Sequence, residues 1–395
     1  MPAFAGMEDF LKFFKKAYTV SQSFPSGDGF NTLDQLVRIQ DGIPAEYRFP
    51  CHTSHRNFYY GQPTDVRFIG PRNIAVVGAI GDSVLAGTGS LARSPLEAYT
   101  RYPEQSFAIG GGKTWREYLT IPNILREYNP NLQGYSTGSF GGTGLNFAKP
   151  GAMAKNMKYQ AKKLMEEMIS SKNISFKEDW KLVFVHVGAN DLCKYSCVSS
   201  SPSVDSFISS LASAVDILYS APRIIIIILS IPDVSGVQAA LQRPLVCQKI
   251  MPVLCPCVAG ADALPRNQFL QKLSEYRTSM EALSTSARYR EREDAAVIFI
   301  KTPEYLQIPK DKSLKVQLHP FKNTNLFPDL AYLAPDCFHP SQKLNALAAG
   351  MVWEELFTGT PGKQPTGSED GLGTGQHLFC PSAEQPYFKV KQKQE

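Results

Sequence analysis

Four short segments, widely separated along the chain, carry the residue types that could together hydrolyse an ester. In chain order they are Gly81-Asp82-Ser83, 146–152 (NFAKPGA), 188–191 (GAND) and 336–339 (DCFH). A serine hydroxyl is a weak nucleophile that needs an adjacent base, and an Asp–His pair can provide one. Gly-Asp-Ser alone is common in turns. Together, however, the four segments predict an acyl-ester hydrolase.

The base has to be chosen among six histidines. Only His339 has a carboxylate at short spacing in an evident loop, because Asp336 precedes it by three residues. Such an aspartate can accept a hydrogen bond from one ring nitrogen and stabilise the imidazolium that forms. His186 falls inside a predicted strand, where we expect a hydrogen-bonded core histidine. The other four are in polar loops, before a proline or in the tail: His52, His55, His319 and His377.

Acyl transfer also requires donors aimed at the oxygen on which negative charge develops. We predict three: the backbone N–H groups of Ser83 and Gly151 and the side-chain amide of Asn190. Gly151 is expected to begin a helix, where N–H groups are free and the helix dipole favours negative charge. Asn146 and Asp191 are interpreted as structural braces of these loops. The predicted catalytic residues are then Ser83, Asp336 and His339, with no metal and no cofactor.

A second serine motif competes with Ser83. Residues 134–138 (GYSTG) match the G-x-S-x-G nucleophile turn, which requires a strand directly before it and a helix directly after it. The flanking sequences, 129–133 (NPNLQ) and 139–142 (SFGG), are typical of loops. Ser136 is therefore rejected as the nucleophile.

The elements that must position these residues alternate between apolar strands and helical patterns. This alternation predicts an α/β fold with a doubly wound, flavodoxin-like sheet of about five parallel strands and flanking helices. In a 2-1-3-4-5 strand order, the strand ends that carry Ser83 and Asn190 are neighbours at the ligand-binding crevice. The expected strands are 74–80, 145–148, 182–187, 224–229 and 296–300, and the expected helices are 153–170, 203–218, 267–284 and an amphipathic 341–357.

Three regions follow from the distribution of these patterns. Residues 1–65 are an amino-terminal extension with little strand pattern, 66–357 form the catalytic domain, and 358–395 form a flexible tail. The tail begins in a stretch rich in Gly, Thr and Pro. We expect Cys380 to tether it through a disulfide bond.

Composition excludes several classes of protein. The chain has 395 residues, 43% of them hydrophobic and 19% charged, and a formal net charge of +5 from scattered basic residues. That charge does not indicate a nucleic-acid partner, and no segment reaches the roughly 20 apolar residues of a transmembrane helix. Charged residues interrupt any apolar core near the amino terminus, so no secretory signal is visible in this chain.

The eight cysteines indicate an oxidising compartment, although their pairing does not follow from the sequence. The competing interpretation is zinc, but the C-x3-C and C-x-C spacings fit zinc ribbons poorly. Asn173-Ile174-Ser175 is a glycosylation sequon, which favours the same compartment but is common by chance.

The four segments resemble the four blocks of the SGNH (GDSL) hydrolase superfamily, and the resemblance extends to its animal phospholipase B group. It spans about residues 74–357. Three positions depart from the usual pattern, Val84, Ala189 and Ile121, and none of them removes a reacting group. The passages outside or around the catalytic residues that carry the resemblance are Thr114-Trp115, 121–130 (IPNILREYNP), 190–193 (NDLC) with Tyr195 and Cys197, Cys255-Pro256-Cys257 and 334–339 (APDCFH).

The resemblance implies a phospholipase B that hydrolyses acyl esters of glycerophospholipids and lysophospholipids through an acyl-serine intermediate. The expected place of action is a lipid or micelle surface, and the eight cysteines predict a secreted or extracellular protein. Three alternatives remain open: an SGNH carboxylesterase or lipase for non-phospholipid esters, a lipid-binding protein without catalysis, and a structural module built on cysteine-bound metal.

Overall fold

Four parallel strands form the sheet in the part of the chain that the computed structural model describes, residues 38–53, 63–95, 97–138, 142–199, 202–236, 245–308, 329–362 and 378–390. They lie in the order β1-β2-β3-β4. Their branched apolar side chains alternate between the two faces of the sheet, so both faces are buried. The strands are β1 Ile74–Gly81, β2 Trp180–His186, β3 Ile224–Leu229 and β4 Ala295–Ile300.

The expected strand at 145–148 lies beside β1 without becoming a strand. The Ala79 N–H donates to the Leu145 carbonyl over 3.0 Å, and the Phe147 N–H donates to the Ala79 carbonyl over 2.9 Å. The pairing remains an isolated bridge between Ala79 and Asn146, because the Gly81 N–H that would continue it donates instead to Gln160 Oε1. The segment occupies the edge that the doubly wound order requires, but the sheet has four strands rather than five.

Helices cover both faces of the sheet. On one face α2, α4 and α7 pack together over β1 to β4, and on the other face α1 and α9 share a second apolar cluster. The predicted helices differ from the observed ones by at most one residue at each end, whereas α1, α3, α5, α6 and α8 were not predicted. The helices are α1 Ile121–Tyr128, α2 Ala154–Ser170, α3 Ala189–Tyr195, α4 Val204–Tyr219, α5 Leu245–Leu254, α6 Pro256–Ala259, α7 Arg266–Ser284, α8 Thr302–Tyr305 and α9 Gln342–Thr358.

Helix α9 is buried on nearly all sides, so the prediction of an amphipathic helix was wrong. Its outer side is covered by the segment 378–390: Trp353 Nε1 donates to the Phe379 carbonyl over 2.8 Å, and the Lys389 N–H donates to the Leu356 carbonyl over 2.7 Å. Glu355 is also buried and accepts the N–H groups of Lys301 and Thr302. The sequence pattern of one helix could not reveal a cover that comes from a distant segment.

All eight cysteines are joined in disulfide bonds: Cys51–Cys380, Cys193–Cys255, Cys197–Cys257 and Cys247–Cys337. No thiolate therefore remains as a zinc ligand, which removes the reason for a metal-based structural module. Four disulfides are typical of proteins outside the cytosol. Among the described residues, none of the helices is long and apolar enough to cross a membrane.

Candidate active site

Ser83 lies in the tight turn that leaves the carboxyl end of β1. Gly81 adopts a φ of 158°, and a Cβ there would lie 2.4 Å from the carbonyl oxygen of His186 on β2, so only glycine fits. The buried side chain of Gln160 on α2 clamps the same residue, since its Oε1 accepts the Gly81 N–H over 2.7 Å and its Nε2 donates to the Gly81 carbonyl over 2.9 Å. The turn that carries Ser83 is thus fixed from two sides.

Asp336 and His339 form a buried pair directly before α9. His339 Nδ1 lies 2.5 Å from Asp336 Oδ2, while Asp336 Oδ1 accepts the N–H groups of Phe338 and His339 over 3.0 Å each. Burial alone would raise the pKa of Asp336, but the attraction of His339 and these hydrogen bonds outweigh it and hold the pKa below its ordinary value. The carboxylate therefore stays charged beside the imidazole.

The loop between the two residues is held in an uncommon conformation. Cys337 has a φ of 62°, in the left-handed region that residues other than glycine rarely adopt. Its disulfide bond to Cys247 joins this loop to α5. A covalent tether therefore supports the turn that brings His339 back to Asp336.

Asn190 and Asp191 lie in the first turn of α3, directly after β2. Asn190 Nδ2 donates to the Ala152 carbonyl over 3.1 Å, which leaves its second amide hydrogen for another acceptor. Both carboxylate oxygens of Asp191 accept the Ala154 N–H over 3.3 Å, at the start of α2. Burial raises the pKa of Asp191 to about 6. Asp191 thus braces the second segment against the third.

Asn146 is a second brace. Its Nδ2 donates to the Leu85 carbonyl over 2.9 Å, and its Oδ1 accepts the Ala148 N–H over 3.1 Å. The first bond joins the extended segment beside β1 to the turn that follows Ser83, and the second holds a turn within the segment.

Gly151 does not begin a helix, contrary to the prediction. Helix α2 starts three residues later at Ala154, and Met153 is its amino-terminal cap. Gly151 stands in the preceding turn with a φ of 75°, which favours glycine. It is not among the described residues that line the cavity beside Ser83.

That cavity has a volume of about 510 Å³ and unites three of the predicted site residues: Ser83, Asn190 and His339 all line it. Asp336 lies behind His339 and is fully buried. Much of the remaining wall is apolar and comes from α9 and from the chain around α8. Predicted site residues from three of the four segments thus meet at one cavity.

His186 also lines this cavity, and the prediction of a hydrogen-bonded core histidine was wrong. Neither of its ring nitrogens has a partner among the described residues, and Oδ2 of the adjacent Asp82 has none either. Burial raises the pKa of Asp82, although the neighbouring His186 opposes this. The strand pattern identified His186 as buried. It could not show that β2 ends beside the cavity, where the side chain of His186 forms part of the wall.

Ser136, the rejected nucleophile, is fully buried away from this space. Its Oγ donates to the Thr143 carbonyl over 2.6 Å. Of the other histidines considered as the base, His52 is not part of the cavity wall, and His55, His319 and His377 lie outside the described residues.

Gln160 was missed by the reasoning from sequence, although a signal for it existed. It occupies a core position of the predicted helix, among Met157, Ala161 and Leu164. A polar side chain on such a face has to find partners inside the protein. The pattern therefore indicated a buried hydrogen-bonding role without indicating its partner.

Known proteins are similar to this chain over the part that carries the site. The profile of the GDSL-like Lipase/Acylhydrolase family matches residues 77–350. The chain belongs to this family. The match begins in β1 and ends in α9, and so includes every residue of the site described above.

The chain is also similar to membrane-associated phospholipase B1. It is 33% identical to the mouse protein over 342 residues and 32% identical to the human protein over 355 residues. In both cases the alignment covers 83% of this chain but only 22% of the relative, so the chain spans about a fifth of the length of these proteins. A solved structure named as a GDSL-like lipase from Parabacteroides merdae matches with 14% identity and a TM-score of 0.32, covering 70% of this chain and 95% of that one.

Proposed function

We propose that this chain is a phospholipase B-type enzyme, which hydrolyses the acyl esters of both glycerophospholipids and lysophospholipids. One observation carries the proposal: Ser83, Asn190 and His339 line a single, largely apolar cavity, and His339 is paired with a buried carboxylate over 2.5 Å. Membership of a lipase and acylhydrolase family supports an ester hydrolase. Similarity to phospholipase B1 supports a phospholipid substrate.

The reaction begins at Ser83. His339 Nε2 takes the hydroxyl proton while Oγ bonds to the ester carbonyl carbon, and Asp336 stabilises the imidazolium through Nδ1. The tetrahedral intermediate collapses, the bond to the leaving alcohol breaks, and His339 returns the proton to that oxygen. Water then attacks the acyl-serine with the same help from His339, which releases the fatty acid and regenerates Ser83.

The oxyanion of each tetrahedral intermediate requires donors. The N–H groups of Ser83 and Gly151 and the free amide hydrogen of Asn190 are the proposed three. Gly151 stands in a left-handed turn with φ 75° before α2 rather than at the expected helix terminus.

The proposed site of action is a lipid or micelle surface outside the cell. Four disulfide bonds support a non-cytosolic location. Asn173 of the sequon is exposed in a turn after α2, so we also propose that it carries a glycan.

Mass spectrometry of the products tests the substrate class. Wild type and Ser83→Ala are incubated with phosphatidylcholine and with lysophosphatidylcholine, and with p-nitrophenyl butyrate as a soluble ester. Free fatty acid from both lipids, released by the wild type alone, is the expected result. Cleavage of the soluble ester without release from either lipid would contradict the phospholipase and favour the carboxylesterase. Activity that survives in Ser83→Ala would contradict the mechanism.

A further inference from the structure

Two polar side chains of the cavity wall have no role in the proposed reaction. They are Asp82, which directly precedes the nucleophile, and His186, the last residue of β2. The two are neighbours, because Gly81 pairs with His186 in the sheet and the Asp82 N–H donates to the His186 carbonyl over 3.2 Å. The edge of the sheet that carries Ser83 thus also holds a carboxyl group and an imidazole.

Both side chains are buried without a full set of hydrogen bonds. Relative exposure is 1% for Asp82 and 2% for His186. Among the described residues, neither ring nitrogen of His186 has a hydrogen-bond partner. Oδ2 of Asp82 has none either, whereas Oδ1 accepts the Val84 N–H over 3.0 Å. Buried polar groups are normally paired, because an unpaired one has lost its hydrogen bonds to water without compensation. These three atoms therefore indicate a polar ligand.

Other buried polar side chains of the wall already have partners. Thr302 Oγ1 donates to a backbone carbonyl over 3.3 Å. The amide of Asn345 accepts a backbone N–H over 3.1 Å and donates to a backbone carbonyl over 2.9 Å. Of the wall residues that the structure describes, only Asp82 and His186 contribute buried side-chain atoms without a partner. The need for a polar ligand is therefore confined to the part of the wall next to the nucleophile.

The chemistry of the pair selects the ligand group. A neutral imidazole has one nitrogen that donates and one that accepts, and a carboxylate oxygen accepts. A phosphate offers only acceptors, so it would leave Asp82 Oδ2 without a donor and place two anions together. A hydrocarbon chain would leave all three atoms unpaired. A hydroxyl group fits, because it can donate to Asp82 Oδ2 and accept from His186 at the same time.

We infer that Asp82 and His186 form a subsite for the free hydroxyl of a lysophospholipid, so that substrates with this hydroxyl are preferred. The inference rests on the proposed function and adds a preference within its substrate class. In a lysophospholipid the hydroxyl is on the glycerol carbon next to the one that bears the ester, so it stays close to the carbonyl that Ser83 attacks. In a diacyl lipid a second ester replaces it and has no hydrogen to donate. A site that hydrogen-bonds a hydroxyl discriminates strongly against an analogue that lacks it.

The test compares two monoacyl substrates that differ only in this hydroxyl. They are lysophosphatidylcholine and its deoxy analogue, in which a hydrogen atom replaces the hydroxyl, both with short acyl chains so that they are measured as monomers. The hydroxyl ratio is kcat/KM for the first divided by kcat/KM for the second. For the wild type it should be about tenfold or more, because the analogue leaves the buried pair without a partner. His186→Phe, which keeps a ring but removes both nitrogens, should lower the ratio about fivefold.

Two further variants separate recognition from structure. Thr302→Val removes a buried wall hydroxyl that already has its partner, so it should leave the hydroxyl ratio unchanged. His186→Leu removes the imidazole with a smaller side chain and carries the test if His186→Phe does not fold. Because the nitrogens of His186 have no partners among the described residues, at least one of these two variants should fold. Loss of folding in both, seen in thermal unfolding, would assign His186 a structural role and overturn the inference.

The subsite and the proposed function fail in different ways. A wild type with a hydroxyl ratio near one, or a folded His186 variant with the ratio of the wild type, would overturn the subsite and leave the proposed function intact. A wild type that releases fatty acid from no phospholipid, yet cleaves p-nitrophenyl butyrate, would overturn the proposed function and the subsite with it.

Discussion

Replacement of Asp336 by asparagine is the substitution that best separates the role of this carboxylate in catalysis from its role in folding. The asparagine would keep the shape of the side chain, and its amide oxygen could still accept the N–H groups of Phe338 and His339. Its amide nitrogen, however, would stand where Oδ2 now lies 2.5 Å from His339 Nδ1. A donor in this position favours the tautomer whose Nε2 carries a proton and cannot accept one from Ser83.

The expected loss is large. In a Ser-His-Asp enzyme that is well understood, this change lowers kcat about 10⁴-fold, which corresponds to about 5 kcal/mol in the activation free energy. The carboxylate of Asp336 is fully buried and its pKa is held low by its contacts with His339 and the backbone. Little water is therefore available to replace it, and we expect a loss of kcat on the order of 10³–10⁴ here.

The assay is kcat for p-nitrophenyl butyrate, with the free energy of unfolding from urea titration measured in parallel. Asp336→Ala is the matched control: it should lose a similar amount of activity, but it also leaves two buried backbone N–H groups without an acceptor. That should cost about 1–3 kcal/mol of stability for each group. Folded Asp336→Asn with kcat within tenfold of the wild type would refute the assignment of the pair.

The remaining predictions concern the supports around the site. Asn190→Ala should lower kcat about 10²–10³-fold with little change in KM. An equal loss of kcat/KM that came from a higher KM alone would show that Asn190 does not stabilise the oxyanion. Because burial raises the pKa of Asp191 from 3.8 to about 6, its contribution to stability is fully present below pH 3.8 and is lost as the pH rises through 6. As the pH rises from about 4 to 7.5, the free energy of unfolding of Asp191→Asn, measured by urea titration, should therefore increase by up to about 3 kcal/mol relative to that of the wild type. Stability profiles of the two proteins that run parallel over this range would contradict the prediction. Removal of Cys247–Cys337 by paired serine substitutions should cost about 2–5 kcal/mol of stability, and it should also lower kcat because Cys337 lies between Asp336 and His339. The same change at Cys51–Cys380, which joins neither of these catalytic residues, should leave kcat of the folded protein unchanged.

The order and type of the main elements could be predicted because their signals are local. The apolar run of β3 and the helical patterns of α2, α4 and α9 lie within the segments they define, and these elements were located to within a residue. Asp336 and His339 were recognisable for the same reason, since only three positions separate them in the chain.

What could not be predicted depends on contacts between distant segments. The 145–148 segment did not become a strand because the Gly81 N–H of β1 donates to Gln160 instead, and α9 is buried because residues 378–390 cover it. The role of His186 depends on how far β2 extends beside β1. Each outcome is decided by a partner that the local pattern does not contain.

Labelling with a fluorophosphonate tests the central claim most directly, because such reagents react with a serine only where a base and an oxyanion site activate it. The wild type, Ser83→Ala and Asp336→Asn would be treated, digested and analysed by mass spectrometry. We predict a single adduct on the peptide that contains Ser83, absent from Ser83→Ala and formed far more slowly in Asp336→Asn. An active wild type with its adduct on any other residue, or an adduct that persists in Ser83→Ala, would contradict the account.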